Sequence, residues 1–421
     1  MLAHFYKIKK QSFITLLLIS IVYAGSMICS SFNTETKLQS DIILSDSSFA
    51  GSMACRKCHQ NIYDSFISTA HNMASLLPSA ETIKGSFDSG RNHFRYNNLY
   101  EVVMEKDDSG FYQKGFIGDA LFRQEAFDIV VGSGRKGQTY MYWVNNMLFQ
   151  LPISFYTPTN SWCNSPGFPK KGPFFDRLAN GRCMECHGSY AKLEDSSNRN
   201  VEYFDKKSII YGVNCERCHG PSKNHVLFHT ANPQEKLAKY IVRNIDLSRQ
   251  QKLDACALCH AGIGQAIKPP FSFVTGDRLN DYYLPNYNTD SAKILDVHGN
   301  QYGLLTASKC FKSSIMNCSS CHDVHQTQIN LPALYSAKCM NCHSASLNNE
   351  CTVKHEKDLV LSTNCIDCHM PALPSKAIFL QLEDDQKSTP DFVRTHRVGI
   401  YPEIAGEFLK KYKLKNNQHI N

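Results

Sequence analysis

Three five-residue units organise the C-terminal part of this chain: CSSCH at 318–322, CMNCH at 339–343 and CIDCH at 365–369. In each unit two cysteines lie three residues apart, and a histidine follows the second directly. Two thiols at this spacing can add to both vinyl groups of one porphyrin, and the adjacent histidine can bind its iron. The stretch therefore predicts three covalently bound c-type haems.

The same pattern occurs four more times, so it describes the whole chain rather than one cluster. The predicted attachment cysteines are Cys55, Cys58, Cys183, Cys186, Cys215, Cys218, Cys256, Cys259, Cys318, Cys321, Cys339, Cys342, Cys365 and Cys368. The predicted proximal iron ligands are His59, His187, His219, His260, His322, His343 and His369. Seven haems c are expected, which accounts for fourteen of the 18 cysteines.

Composition limits the protein classes that remain. With 421 residues, 42% of them hydrophobic and 20% charged, the chain is neither disordered nor membrane-integral overall. The net charge of +7 does not indicate a nucleic-acid partner. Each ferric haem adds about −1, because two propionates outweigh the net charge of the iron porphyrin. Many basic residues are therefore expected to pair with propionates.

The N-terminus predicts export. Three lysines precede the apolar run Phe13–Ala24, so residues 1–24 resemble a secretory signal peptide and 25–48 a flexible spacer. An uncleaved membrane anchor is the alternative, and a lipid anchor at Cys29 is a third reading with a poor lipobox. Covalent haem attachment outside the bacterial cytoplasm also requires export. We therefore expect the periplasm or the outer face of a bacterial membrane, with membrane association through the N-terminus if the leader is retained.

The longest interval between motifs has a different composition. Residues 90–160 are rich in Tyr, Phe, Val and Met with Gly and Asn at turns, which predicts a small antiparallel β unit. The loop GSGRKG at 132–137 matches a dinucleotide fingerprint, but a β-like segment follows it where a helix is needed. We expect a tight hairpin turn, with Arg135 and Lys136 available to pair with propionates.

Between the later motifs the spacing is short, falling to 21 and 26 residues after Cys318. Such segments cannot build a separate core around each porphyrin, so the haems must share walls. The predicted fold class is mainly α, with extensive irregular loops around a stacked haem array. The multihaem domain is expected at 49–400, and a C-terminal helix with a polar tail at 401–421.

Histidines outside the motifs are candidates for the sixth iron ligand. Two of them lie in the leader and in the polar tail, which leaves eight candidates for seven irons. These are His71, His93, His225, His229, His298, His325, His355 and His396. The count predicts mostly bis-histidine ligation with at most one open or methionine-ligated haem; Met316 and Met370 are weaker candidates.

Zinc binding and disulfide formation account for fewer features of the cysteine pattern than haem attachment does. Paired CxxC units can hold zinc, but zinc does not account for a histidine after all seven. A disulfide between Cys310 and Cys351 and two free thiols remain equal alternatives, and Cys163 is a further spare cysteine.

The chain resembles the multihaem c-type cytochromes of the cytochrome c-554 type, as a heptahaem member. The resemblance rests on GSMACRKCHQNIYDSFISTAH, GVNCERCHGPSKNH, MNCSSCHDVH and NCIDCHMP, which span about residues 50–400. It implies periplasmic electron transfer through stacked, bis-histidine haems, with His71, His225 and His325 as distal ligands. The related pentahaem nitrite reductases carry a CxxCK motif that this sequence lacks.

We therefore expect an electron carrier rather than a catalyst. Its redox partners would be a quinol-oxidising membrane complex or other cytochromes. The alternative is a multihaem oxidoreductase that acts on a small nitrogen or sulfur oxyanion at one open haem. A third hypothesis is a structural wire in a conduit at the cell surface.

Overall fold

A computed structural model describes residues 48–195, 201–284, 295–344, 351, 363–383 and 388–418. The predicted leader and nearly all of the spacer lie outside these residues, as does His355. The chain is 28% helix and 28% strand, so the expectation of a mainly α fold is wrong. The haem motifs need only about one helical turn each, whereas the long interval without motifs forms extended sheets.

One antiparallel sheet has four strands in sequential order. They are β2 (His93–Arg95), β3 (Tyr100–Asp107), β4 (Gly110–Ile117) and β5 (Ala120–Ala126). Two-residue turns connect β3 to β4 and β4 to β5, and Gly118 supplies the positive φ in the second of them.

A second, nine-stranded sheet is larger than the small β unit that the sequence predicted. Its main path runs through β1 (Ser75–Leu76), β6 (Ile129–Val131), β7 (Gly137–Val144), β9 (Ile153–Tyr156), β10 (Ser161–Asn164), β16 (Ala372–Leu382) and β17 (Thr389–Arg394). Off this path, β8 (Met147–Gln150) pairs with β7 and with β11 (Arg177–Ala179). The C-terminal hairpin β16–β17 thus completes a sheet that begins before residue 80.

Two further hairpins lie beside the helices. The first joins β12 (Gly188–Asp195) to β13 (Tyr203–Tyr211), and the second joins β14 (Gln265–Ala266) to β15 (Tyr283–Leu284).

The helices are short, and most of them carry a haem motif. The α-helices are α1 (Ser52–Arg56), α2 (Gln60–Phe66), α3 (Gly181–His187), α4 (Cys215–His219), α5 (Lys223–Ala231), α6 (Arg249–His260), α7 (Gln301–Thr306), α8 (Lys309–Lys312), α9 (Pro332–Met340), α10 (Cys365–His369) and α11 (Pro402–Gln418). The motif at 318–322 starts in a 3₁₀ turn, Cys318–Ser320. A capping box of Ser248 and Gln251 begins α6.

Both faces of the large sheet are buried. Successive side chains along each strand point to opposite faces, so neighbouring residues belong to different cores. Val130, Tyr140 and Tyr142 face a core that they share with Phe94 and Met104 of the four-stranded sheet. Their sequence neighbours Ile129, Val131 and Met141 point the other way, into a second core with Met184 of α3 and Phe204 of β13. Helix α3, which carries a haem motif, is therefore held directly against the sheet.

Hydrogen bonds attach the segment around His71 to helix α3 and to the backbone at Gly212 and Val213. Val213 N donates to His71 O over 2.8 Å, and Gly212 N donates to Ser75 Oγ over 3.0 Å. Ser75 Oγ donates in turn to His187 O over 2.6 Å. Gly212 has φ +69°, and a Cβ atom there would lie 2.1 Å from Asn72 O.

Replacing Gly212 by alanine is expected to destabilise the protein by about 2–4 kcal/mol, because backbone strain and a clash with Asn72 add together. Gly90→Ala is the matched control, because Gly90 has φ +81° and open space around it. It should lose only about 1 kcal/mol. Calorimetric Tm values measure the difference, and equal losses would contradict the clash.

Candidate haem-binding cleft

One continuous cleft of ≈ 2700 Å³ runs through the protein. An ordinary small-molecule site has about 300–1,000 Å³, so this volume corresponds to several large ligands. All seven motif histidines line the cleft, as do twelve of the fourteen motif cysteines; the other two are Cys58 and Cys183. The structure therefore brings motifs spread over more than 300 residues to one shared space.

Each motif is folded as about one helical turn. In the motifs of Cys55, Cys318 and Cys339, the backbone N–H of the histidine donates to the backbone carbonyl of the first cysteine. These hydrogen bonds are 2.9, 3.0 and 2.9 Å long. A residue and its third neighbour lie on the same side of a helix, and both thiols line the cleft in five of the seven motifs.

Asparagine caps several of these turns. Asn180 accepts a hydrogen bond from Cys183 N, Asn214 from Glu216 N, and Asn317 from Ser319 N. Sequence reasoning did not use this signal, although an asparagine directly before the first cysteine is visible at Asn214, Asn317 and Asn364.

Backbone carbonyls orient two of the proximal histidines. Nδ1 of His219 lies 2.9 Å from Val242 O, and Nδ1 of His369 lies 2.8 Å from Gly399 O. A carbonyl accepts from Nδ1–H, so the proton is held there and Nε2 is left as a metal ligand.

Three proximal histidines face a distal candidate at one common distance. The ring centroids of His219 and His325, of His260 and His71, and of His322 and His396 are each separated by 6.2 Å. Two metal–nitrogen bonds of about 2.0 Å, each extended by roughly 1.1 Å to the ring centre, require about the same separation. The three pairs therefore fit one hexacoordinate iron each.

Burial favours the neutral form of His71 and His396, which is the form that binds a metal. It lowers the pKa of His71 and of His396 to about 4, and nearby histidines add to the effect. Burial also lowers the pKa of His187, with smaller contributions in the same direction from His260 and then His298. His298 lines the cleft near that motif.

Three other distal candidates lie outside the cleft lining. His93 is on β2, and its Nε2 lies 3.2 Å from Glu383 Oε1. His225 and His229 are on α5 with ring centroids 4.6 Å apart. The Nδ1 atom of His225 lies 2.7 Å from Lys239 O, and Nε2 of His229 accepts from Lys239 N.

Thiols of different motifs touch one another. Cys55 and Cys215 share a hydrogen bond that raises the pKa of the Cys55 thiol, and burial adds to this shift. Cys186 with Cys259 and Cys256 with Cys318 form the same kind of pair. Motifs that are distant in sequence are thus in direct contact at their attachment atoms.

The lining carries more positive than negative charge. Its basic side chains are Arg135, Lys136, Arg217, Lys309, Lys338, Arg394 and Arg397, and its acidic ones are Asp323, Asp367 and Asp391. Arg217 is 9% exposed, and its buried Nε–H has no hydrogen-bond partner. An orphaned guanidinium N–H and an excess of basic groups fit the carboxylates of haem propionates.

The glycine-rich loop 132–137 joins β6 to β7 as a hairpin connection. Arg135 donates to Ser68 O and to Thr327 Oγ1 over 2.8 and 2.9 Å. Lys136 forms a 2.8 Å ion pair with the buried carboxylate of Asp391. These contacts tie the loop to the walls of the cleft.

Met316 and Met370 also line the cleft, and Met316 packs against the core around α6. The three spare cysteines in the described part of the chain are free thiols, so Cys310 and Cys351 do not form the disulfide that was one alternative. Burial raises the pKa of Cys163 to about 12, so its thiol is unreactive in the folded protein.

Labelling of the unfolded, unreduced holoprotein with iodoacetamide should modify Cys163, Cys310 and Cys351. The fourteen motif cysteines should resist, because thioethers do not react. Peptide mass spectrometry reads out both groups. A peptide pair linked through Cys310 and Cys351 would contradict the expectation. In the control the protein is reduced before labelling, which would free both cysteines of such a disulfide for modification.

One protein family and one solved structure are similar to this chain. The family model described as "Cytochrome c554 and c-prime" matches residues 170–220. The crystal structure of the outer cell wall cytochrome OcwA is similar in fold, with a TM-score of 0.53 and 16% identity over 86% of this chain and 82% of that one. No curated protein matches the sequence. Among the described residues, no helix has the length and apolar character to cross a membrane. The family match contains the second and third CxxCH motifs. The structural match shows a fold shared with a cytochrome.

Proposed function

We propose that this chain is an exported heptahaem cytochrome that carries electrons through seven covalent, mostly bis-histidine haems. The observation that carries the proposal is the single cleft lined by all seven motif histidines. A haem supplies one-electron exchange at its iron, and the protein supplies attachment, axial ligands and spacing.

Contacts between attachment cysteines support an unbroken path. The thiol pairs Cys55–Cys215, Cys186–Cys259 and Cys256–Cys318 join the first motif to the third, the second to the fourth, and the fourth to the fifth. Cys339 of the sixth motif lies near Cys365 and Cys321 of its neighbours. The remaining step, between the third and fourth motifs, is supported by the proximity of Cys218 and Cys256.

The centroid distances support specific ligand pairs. We assign His325 to the haem of His219, His71 to the haem of His260, and His396 to the haem of His322, since each pair is 6.2 Å apart. Every distal ligand is thus supplied by a segment outside the motif that it serves, and His298 is the candidate for the haem of His187.

The location follows from the chemistry of attachment and from the predicted leader. We place the protein outside the cytoplasmic membrane, where it would exchange electrons with a quinol-oxidising membrane complex or with other cytochromes. OcwA, whose fold it shares, is described as an outer cell wall protein.

Intact mass spectrometry of the purified holoprotein should give seven haems per chain. The oxidised visible and electron paramagnetic resonance spectra should be dominated by low-spin iron, and CO or nitrite should leave most of the spectrum unchanged. Fewer than seven haems would refute the heptahaem assignment. A high-spin signal that responds to nitrite would instead favour the oxidoreductase alternative, since that activity needs an open iron.

Single replacements of His71, His325 or His396 by alanine should each convert one low-spin haem to a CO-binding high-spin haem, because one axial ligand is lost. His225→Ala is the matched control, since its ring does not line the cleft. It should remain spectroscopically like the wild type. A low-spin His325→Ala protein together with a high-spin His225→Ala protein would reverse the assignment.

A further inference from the structure

A glutamate inside the second haem motif is completely buried. Glu185 lies between Cys183 and Cys186 and is 0% exposed. Its carboxylate accepts a 2.8 Å hydrogen bond from Arg182 Nη1 and another of 2.8 Å from Phe271 N. The hydroxyl of Tyr283 donates to the same carboxylate, and burial together with this bond raises the pKa of Tyr283, which keeps it a donor.

The same carboxylate links the loops of three haem motifs. Arg217, in the third motif, places Nη2 3.6 Å from Glu185 Oε1. Arg182 also donates through Nη2 to the carbonyl of Leu258, in the fourth motif, over 2.5 Å. The thiols of Cys186 and Cys259 form a further contact between the second and fourth motifs. Glu185 is thus the common anion of a node that joins motifs two, three and four.

Stability alone is a weak reason to bury this node. Desolvating charged groups costs more than their attraction returns in many proteins, and well-packed apolar residues often serve equally well. The Arg182 and Arg217 Nε atoms are moreover buried without hydrogen-bond partners. A buried set of fixed charges does, however, act strongly on its surroundings, because little water screens it.

The sign of that action follows from the redox step. When a ferric haem accepts one electron, the site loses one positive charge. A neighbouring arginine therefore favours the reduced haem and raises its reduction potential, and a neighbouring carboxylate lowers it.

We propose that Glu185 and Arg182 are positioning residues that set the relative potentials of the haems on motifs two, three and four. The two side chains act through the attachment loops and as opposed fixed charges. The inference rests on the proposed electron-carrying function and deepens it: the node determines how electrons distribute at the point where three haem motifs meet.

The test compares Glu185→Gln with Arg182→Gln in the seven-haem holoprotein. Both break the same buried ion pair, so a purely structural effect would move the potentials in the same direction. Opposed charges should instead move them in opposite directions. In spectroelectrochemical titration, Glu185→Gln should raise the midpoint of at least one haem and Arg182→Gln should lower it. Each shift should correspond to at least a tenfold change in the reduced-to-oxidised ratio, which is 59 mV for one electron.

Two further variants complete the design. Glu125→Gln removes an equally charged group from an ion pair with Arg123 on β5, a strand that carries no haem motif, and it should leave the titration unchanged. The double variant with both Glu185→Gln and Arg182→Gln should return close to the wild-type midpoints.

Shifts of equal sign, or no shift in proteins that carry all seven haems, would overturn the inference without affecting the proposed function. A wild-type chain with fewer haems would refute the proposed function itself. If Glu185→Gln does not load its haems, the downward shift in Arg182→Gln decides the question alone.

Discussion

Covalent attachment to porphyrin is the constraint on which the rest of this structure depends. Its cleft of ≈ 2700 Å³ is lined by residues from every haem motif, and none of the residues that the structure describes fills it. A polypeptide that leaves such a volume inside itself needs another source of buried apolar surface. The seven proposed porphyrins would supply that surface, and thioether bonds would fix them in place. The motif helices can therefore be a single turn long, since tertiary packing against a haem replaces the stability that a longer helix would need.

The sheets give this array a rigid support. The nine-stranded sheet is buried on both faces, and its second face packs against Met184 on the helix of the second motif. Hydrogen bonds through Ser75 connect that helix to Gly212, next to the third motif. The backbone of Val213 in turn holds His71. The proposed distal ligand His71 and the loops of two haem motifs are thus attached to the same sheet.

The excess of basic side chains in the cleft fits the negative charge of haem propionates. Basic side chains outnumber acidic ones along the lining, although the overall charge of the chain is modest. Propionates are anions that must be paired when they are taken out of water. Arg217 contacts both regions, since its guanidinium lines the cleft and also lies near the buried carboxylate of Glu185. Arg217 therefore links the cleft lining to the buried carboxylate for which we propose a role in setting potentials.

The sequence alone determined the chemistry of attachment, because CxxCH is a local pattern whose spacing defines its geometry within one turn. It also indicated strands between residues 90 and 160. It did not predict the fold class, because the sheet is completed by pairing Cys163 with Leu382, and such long-range registers leave no periodic signal. Nor could it choose among the spare histidines. His225 follows its motif closely yet lies outside the cleft lining, whereas His71 faces His260 across it. Only tertiary packing decides which ring reaches which iron, since that distance depends on segments far apart in the chain.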